Sequence, residues 1–120
     1  MLHGIDVVVH LAAHIHQMNE VDQNLHFSIN HEDTVRLAKA AERAGVKRFV
    51  FPSTINVKGE NTRYCQKFYA DDVFCNTEDP YALSKYMAEA DLIKICHQSS
   101  MQYVINRPPL IYGPGVKGNL

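Results

Sequence analysis

Clustered charge of one sign is missing from this sequence: 12 Lys and Arg stand against 13 Asp and Glu, for a net charge of −1. A nucleic-acid or membrane-surface binder would carry a concentrated basic face, so neither class of partner is expected. No apolar run reaches the length needed to span a bilayer, and Met1-Leu2-His3-Gly4 lacks the charged-then-apolar order of a secretory leader. Together these absences predict a cytoplasmic protein. Cysteine is scarce as well. Cys65, Cys75 and Cys96 are odd in number, widely spaced and without a Cys-x-x-Cys pair, which argues against a disulfide framework and for reduced thiols. Metal is not expected either: His10, His14 and His16 lie near one another, but no Glu or Cys stands at ligand spacing, and a strand followed by a loop scatters such side chains. Internal repeats and low-complexity tracts are absent.

What is present suits one small domain of 120 residues with an ordinary apolar share. From Gly4 to Ala13 the segment opens with Val7-Val8-Val9, a β-branched run that predicts a strand buried on both faces, as in a parallel sheet. His14 to Asn24 reads as a polar loop. Between Phe27 and Ala44, residues Val35, Leu37, Ala38, Ala41 and Ala44 fall at helical spacing, with Gly45 at the C-cap position. A strand over Phe49 to Ser53 follows. Asn56 to Asp79 is polar and irregular with aromatics at Tyr64, Phe68, Tyr69 and Phe74, and a loop that long inside a compact domain is usually functional. Asp79-Pro80 announces a second helix over Tyr81 to His97, with Leu83, Met87, Ala88, Leu92, Ile95 and Cys96 on its apolar side. The last strand spans Tyr103 to Arg107 and runs into Pro108-Pro109. Strand, helix, strand, helix, strand predicts an α/β fold, a parallel sheet with right-handed crossovers. Gly113-Pro114-Gly115-Val116-Lys117-Gly118 spells a dinucleotide-binding fingerprint, yet that fingerprint needs a helix N-terminus behind it, so the run reads as a Gly/Pro turn.

Tyr81 and Lys85 carry the chemistry. Residues four apart on a helix share a face, so the phenol and the ammonium can point into one cleft, where a nearby cation favours the phenolate. A phenol tuned this way is a usable acid/base. Such a pair is common by chance, and a half-buried Tyr beside a solvated Lys is the ordinary reading. The flanking strands change the odds. Arg48 to Thr54 ends in hydroxyl residues and Gln102 to Pro109 ends in prolines; because ligands bind at the carboxyl ends of strands in open α/β sheets, Thr54, Tyr81 and Pro108 should converge on one crevice.

In this order the segments resemble the extended short-chain dehydrogenase/reductase family, in its NAD-dependent nucleotide-sugar epimerase/dehydratase branch. The matching runs are Asp6-Val7-Val8-Val9-His10-Leu11-Ala12-Ala13, Asn30 with Thr34, Ala44 through Phe51, Ser53-Thr54, Tyr81-x-x-x-Lys85, and Arg107-Pro108-Pro109-Leu110-Ile111-Tyr112-Gly113-Pro114-Gly115. The stretch from Ser53 to Glu60, with Phe68 and Asp71-Asp72, is similar to bacterial enzymes that epimerise C4 of N-acetylhexosamines for surface polysaccharide. The resemblance implies a Rossmann-type doubly wound sheet, NAD as cofactor, a nucleotide-sugar substrate and a homodimer of the full-length protein. It makes Tyr81 the catalytic base, Lys85 the group that lowers its pKa and holds the nicotinamide ribose, and Thr54 the hydroxyl that orders the reacting oxygen. Ser53, Thr54 and Tyr81 would meet the sugar. Leu11, Ala12, Ala13, Asn30, Lys85, Pro108 and Pro109 would lie along the cofactor. The implied reaction is oxidation at C4, rotation of the 4-keto sugar and reduction on its other face.

Against the family's pattern, Pro52 and Thr54 replace serines, and Asp33 replaces a glycine before Thr34. A glycine-rich first βαβ unit and a C-terminal substrate lobe are not found within residues 1–120, so the chain is expected to be an incomplete NAD-binding domain, inactive alone. A 4,6-dehydratase is the runner-up. It would need an acid pair directly after Thr54, where Ile55-Asn56 stand. A 4-keto reductase with the same Tyr and Lys, and a non-catalytic NAD-binding or sensor protein of the same fold, complete the alternatives.

Overall fold

The computed structural model describes residues 2–15, 23–59, 67, 69–71 and 78–115. Three strands, β1 (Val7–Val9), β2 (Arg48–Pro52) and β3 (Gln102–Asn106), form a parallel sheet in the order β1-β2-β3, with Val8 opposite Phe49 and Phe49 opposite Tyr103. This is the α/β architecture the segment order predicts, part of a Rossmann-like dinucleotide-binding sheet.

The first crossover is one helical run of three parts: α1 (Gln23–Leu25), a π-helical stretch (His26–Asp33) and α2 (Thr34–Arg43). It begins earlier than apolar spacing suggested, because the π-helical part buries polar residues, His26 and Asn30, and so shows no apolar stripe. Asp33 is accommodated by turning outward to pair with Arg36 at 3.1 Å. The run stops where expected. Gly45, at φ 78°, donates to the Glu42 carbonyl, and Val46 donates to that of Ala41, closing a Schellman pair that a residue with a side chain would strain.

The second crossover is α3 (Pro80–His97), entered through a short 3₁₀ turn (Ile55–Lys58) after β2. Asp79 caps α3 by accepting from the amides of Tyr81 (3.0 Å) and Ala82 (3.3 Å), and Pro80 takes the first turn, where its missing N–H costs nothing. Both crossovers lie on one face of the sheet, since two right-handed connections advancing in the same direction place their helices together. Ala38, Ala41, Phe49, Phe51, Ala88 and Leu92 form the core between them.

Two expectations are corrected here. β1 is not buried on both faces: Val7 is 48% and Val9 55% exposed, because no described helix covers the second face of the sheet. The inward face of α3 is apolar only in part: Ala88, Leu92 and Cys96 pack into the core as expected, with Ile95 against them, but polar residues share that face. Ser84, Lys85 and Glu89 are buried, while Met87 is exposed and Leu83 only partly covered, so polar groups have been turned inward toward the strand ends. His16, Cys65, Cys75, most of the loop from residue 60 to 77 and the last three positions of the Gly113–Gly118 run lie outside the described residues.

Candidate active site

The carboxyl ends of the three strands open into one cavity of about 540 Å³, within the ordinary range of small-molecule sites. Leu11, Ala13 and Ile15 line it after β1, Ser53 to Asn56 after β2, Pro108 to Ile111 after β3, and Tyr81 and Lys85 from the first turns of α3. Strand pairing continues past the sheet to hold this rim: Ser53 donates to the Asn106 carbonyl at 2.7 Å and Ile55 to that of Pro108 at 3.2 Å.

Lys85 is buried, 3% exposed, and its Nζ donates to the Pro52 carbonyl at 2.8 Å while lying 4.3 Å from the centre of the Phe51 ring. Burial brings its pKa down to about 8, opposed by the charge of Glu89. Tyr81 behaves differently from the expectation that Lys85 lowers its pKa. Burial, with Asp79 adding to it, pushes the phenol above its usual range, and among the described residues no hydrogen bond joins its hydroxyl to Lys85 or Thr54. The ammonium is instead engaged by the end of β2.

Thr54 begins the 3₁₀ turn and its Oγ1 accepts from the Asn56 amide at 3.2 Å, which leaves the hydroxyl proton able to donate into the cavity. Ser53 Oγ is buried at the same rim with no hydrogen-bond partner among the described residues. A buried hydroxyl left open costs stability, and a polar ligand group would satisfy it. Apolar walls, two hydroxyls and a buried cation suit a ligand that is part apolar and part polar.

Two of the expected cofactor residues do not line the cavity. Ala12 is exposed beyond β1. Asn30 is fully buried behind the rim, accepting from the His14 amide at 2.7 Å and donating to the His14 carbonyl at 3.0 Å and to Ser84 Oγ at 3.2 Å. His10 is also structural: its Nε2 pairs with Thr34 Oγ1 at 2.9 Å, and burial followed by the charge of Lys85 lowers its pKa. Among the described residues no group of three His, Cys, Asp or Glu could hold a metal ion, and no helix is long and apolar enough to cross a membrane. Cys96 is a free, buried thiol.

Sequence reasoning missed Phe51 beneath Lys85, the His26 ring edge-on to Tyr81 at 6.1 Å, and the clasp on Ala70. In that clasp Lys58 Nζ and Arg107 Nη1 each donate to the Ala70 carbonyl at 3.0 Å, while Arg107 Nη2 meets Glu89 Oε2 at 2.6 Å. Only Arg107, next to Pro108, carried a signal that could have been followed.

Several known proteins are similar to this chain. A UDP-glucose 4-epimerase of Vibrio cholerae is 45% identical over 98% of this chain, which spans 37% of that relative's length. The human dTDP-D-glucose 4,6-dehydratase is 32% identical over 92% of this chain and 31% of its own. Among solved structures, UDP-glucuronic acid 4-epimerase from Bacillus cereus in complex with NAD superposes with a TM-score of 0.80 at 28% identity, covering 94% of this chain and 35% of that one. The chain thus spans about a third of the length of these relatives. With its strand-end site and a family profile matched across residues 1–120, the chain belongs to the NAD dependent epimerase/dehydratase family.

Proposed function

We propose that the protein is an NAD-dependent sugar-nucleotide 4-epimerase, acting on a UDP-hexose or UDP-N-acetylhexosamine through a 4-keto intermediate. Residues 1–120 would form the C-terminal half of its dinucleotide-binding domain, with the glycine-rich βαβ unit and the substrate lobe supplied by other parts of the protein. The observation that carries this reading is the presence of Thr54, Tyr81 and Lys85 on a single cavity rim.

Bound NAD would supply reversible two-electron oxidation of a carbinol. This chain's own groups hold and move the proton. Tyr81 keeps its proton in the state described, since burial and Asp79 disfavour the phenolate. To act as base it must lose that proton, and Lys85 is the cation on the same rim that favours the loss. Thr54, with one lone pair occupied by the Asn56 amide, donates its hydroxyl proton to the reacting oxygen of the sugar. Ser53 offers a second hydroxyl, and Lys85 holds the nicotinamide ribose. Leu11, Ala13, Pro108 and Pro109 keep water from one side of the cavity.

Loss of water from C6 would require an acid pair after Thr54. Ile55 and Asn56 line the cavity there and cannot supply it, which favours epimerisation over dehydration. A protein that only binds NAD has no use for the Thr, Tyr and Lys together. The test is incubation of the full-length protein with NAD and, separately, UDP-glucose and UDP-N-acetylglucosamine, followed by proton NMR of the sugar. Equilibration of the C4 epimers without net cofactor consumption is expected. A 4-keto-6-deoxy product, stoichiometric cofactor turnover or no reaction would each assign a different function.

A further inference from the structure

The pairing of Lys85 with Phe51 has a role that the family's Tyr-x-x-x-Lys motif does not describe. Lys85 is an ammonium taken out of water, and an ammonium has three protons to place. One goes to the Pro52 carbonyl at 2.8 Å. Among the described residues no carboxylate is hydrogen-bonded to it: Glu89, one turn away on α3, is held by Arg107 through contacts of 3.0, 3.2 and 2.6 Å. What faces the charge is the ring of Phe51, itself fully buried, with its centre 4.3 Å from Nζ.

We infer that Phe51 is a positioning residue for Lys85, its ring face keeping the ammonium charged and seated at the end of β2 while leaving its field uncancelled toward the Tyr81 side of the cavity. The inference deepens the proposed function and rests on it for its consequence in catalysis. An aromatic face attracts a cation through its quadrupole, most strongly where water is excluded. A carboxylate in the same place would also hold the ammonium but would neutralise it for its neighbours. The ring does the first without the second.

The other groups around Lys85 are consistent with this. From the end of β1, the His10 ring lies nearly parallel to Phe51 with centroids 6.2 Å apart; burial and Lys85 both disfavour its protonation, so it adds no competing cation. Thr34 of α2 holds the Nε2 of His10. Within α3, Glu89 favours the charged lysine from a distance, and Tyr81 shares the cavity rim. Burial opposed by Glu89 puts the pKa of Lys85 at about 8, close enough to physiological pH for a contact that favours the charged form to decide its protonation state.

The test uses the full-length protein labelled with ¹³C at lysine Cε, whose shift reports the charge of each lysine; the Lys85 signal is assigned by its loss in Lys85→Met. Phe51→Leu should lower the Lys85 pKa by about one unit, and Phe51→Tyr, which keeps the ring, should leave it within a few tenths. Should Phe51→Leu fail to fold, trifluorophenylalanine at position 51 keeps the shape, drains the ring face and should lower the pKa likewise. An unchanged Lys85 titration in the fluorinated protein, or equal shifts in the Leu and Tyr variants, overturns the inference. The titration is read without cofactor or substrate, so its failure is distinct from that of the proposed function, which would show as full epimerase activity in Lys85→Met.

Discussion

Asn30 Nδ2 donates to Ser84 Oγ at 3.2 Å, and Ser84 Oγ in turn donates a hydrogen bond to the carbonyl of Tyr81 at 2.8 Å. The remaining polar capacity of Asn30 is spent on the backbone of His14. One buried amide therefore ties the segment following β1 to the turn of α3 that carries Tyr81. Backbone pairing holds the strand ends to one another through His10, Ser53 and Ile55, and the Asn30 tie adds the helix turn to that rim.

Asn30→Ala leaves the His14 amide and carbonyl and the Ser84 hydroxyl without this partner in a buried place. A loss of about 2–4 kcal/mol is expected in urea denaturation of the full-length protein, against about 1 kcal/mol for Ser84→Ala. Equal, negligible losses in both variants would show that the tie carries no weight.

Asp79 both caps α3 and raises the Tyr81 pKa, and the two roles separate in Asp79→Asn. Asn is as good a cap, so helix and fold are retained, while loss of the negative charge makes the phenolate easier to form. Tyrosinate absorbance, read as a difference from Tyr81→Phe, should place Tyr81 ionisation at lower pH in the variant than in the wild type. A shift to higher pH contradicts the assignment.

Much of this arrangement was legible in the sequence. Val7-Val8-Val9, Gly45 and Asp79-Pro80 identify their elements because a β-branched run, a left-handed C-cap and a capped proline each have one ordinary structural use. Thr54, Tyr81, Lys85, Pro108 and Pro109 could be grouped because strand order alone brings strand ends together. Asn30 and Phe51 could not be given their roles, since sequence shows neither that an amide faces a strand loop nor that a ring lies under an ammonium. The exposed face of β1 was misjudged for a related reason: an apolar strand records that it needs cover, not which segment provides it.

Lys85 makes stability depend on pH in a definite direction. Its folded pKa of about 8 lies below the ordinary 10.5, so between those values the unfolded chain binds a proton that the folded one does not. The contribution of this group is therefore most favourable above 10.5 and is lost as pH falls through about 8. Lys85→Met should be more stable than wild type at pH 7, by up to about 3 kcal/mol, with the advantage shrinking toward pH 10. Thermal or urea denaturation at the two pH values checks it; an advantage that grows with pH contradicts the sign.

Glu89 and Arg107 form a pair with the carboxylate 3% and the guanidinium 22% exposed, the latter held above its usual pKa by the carboxylate. Glu89→Gln should cost about 1–3 kcal/mol, because Arg107 loses its charged partner but stays partly exposed and bonded to the Ala70 carbonyl. Arg107→Met in the same chain should recover much of that loss. Simple additivity of the two substitutions would show that the pair is not coupled.

The central claim is that the phenol of Tyr81 performs the proton transfer in a C4 epimerisation. Its most direct measurement is the turnover of Tyr81→Phe in the full-length protein with NAD and a UDP-sugar, beside NAD affinity by calorimetry. The account predicts a fall in kcat of about 10²–10⁴-fold with NAD binding nearly unchanged, since Lys85 and the ring remain. Epimerisation at the wild-type rate in that variant would contradict it.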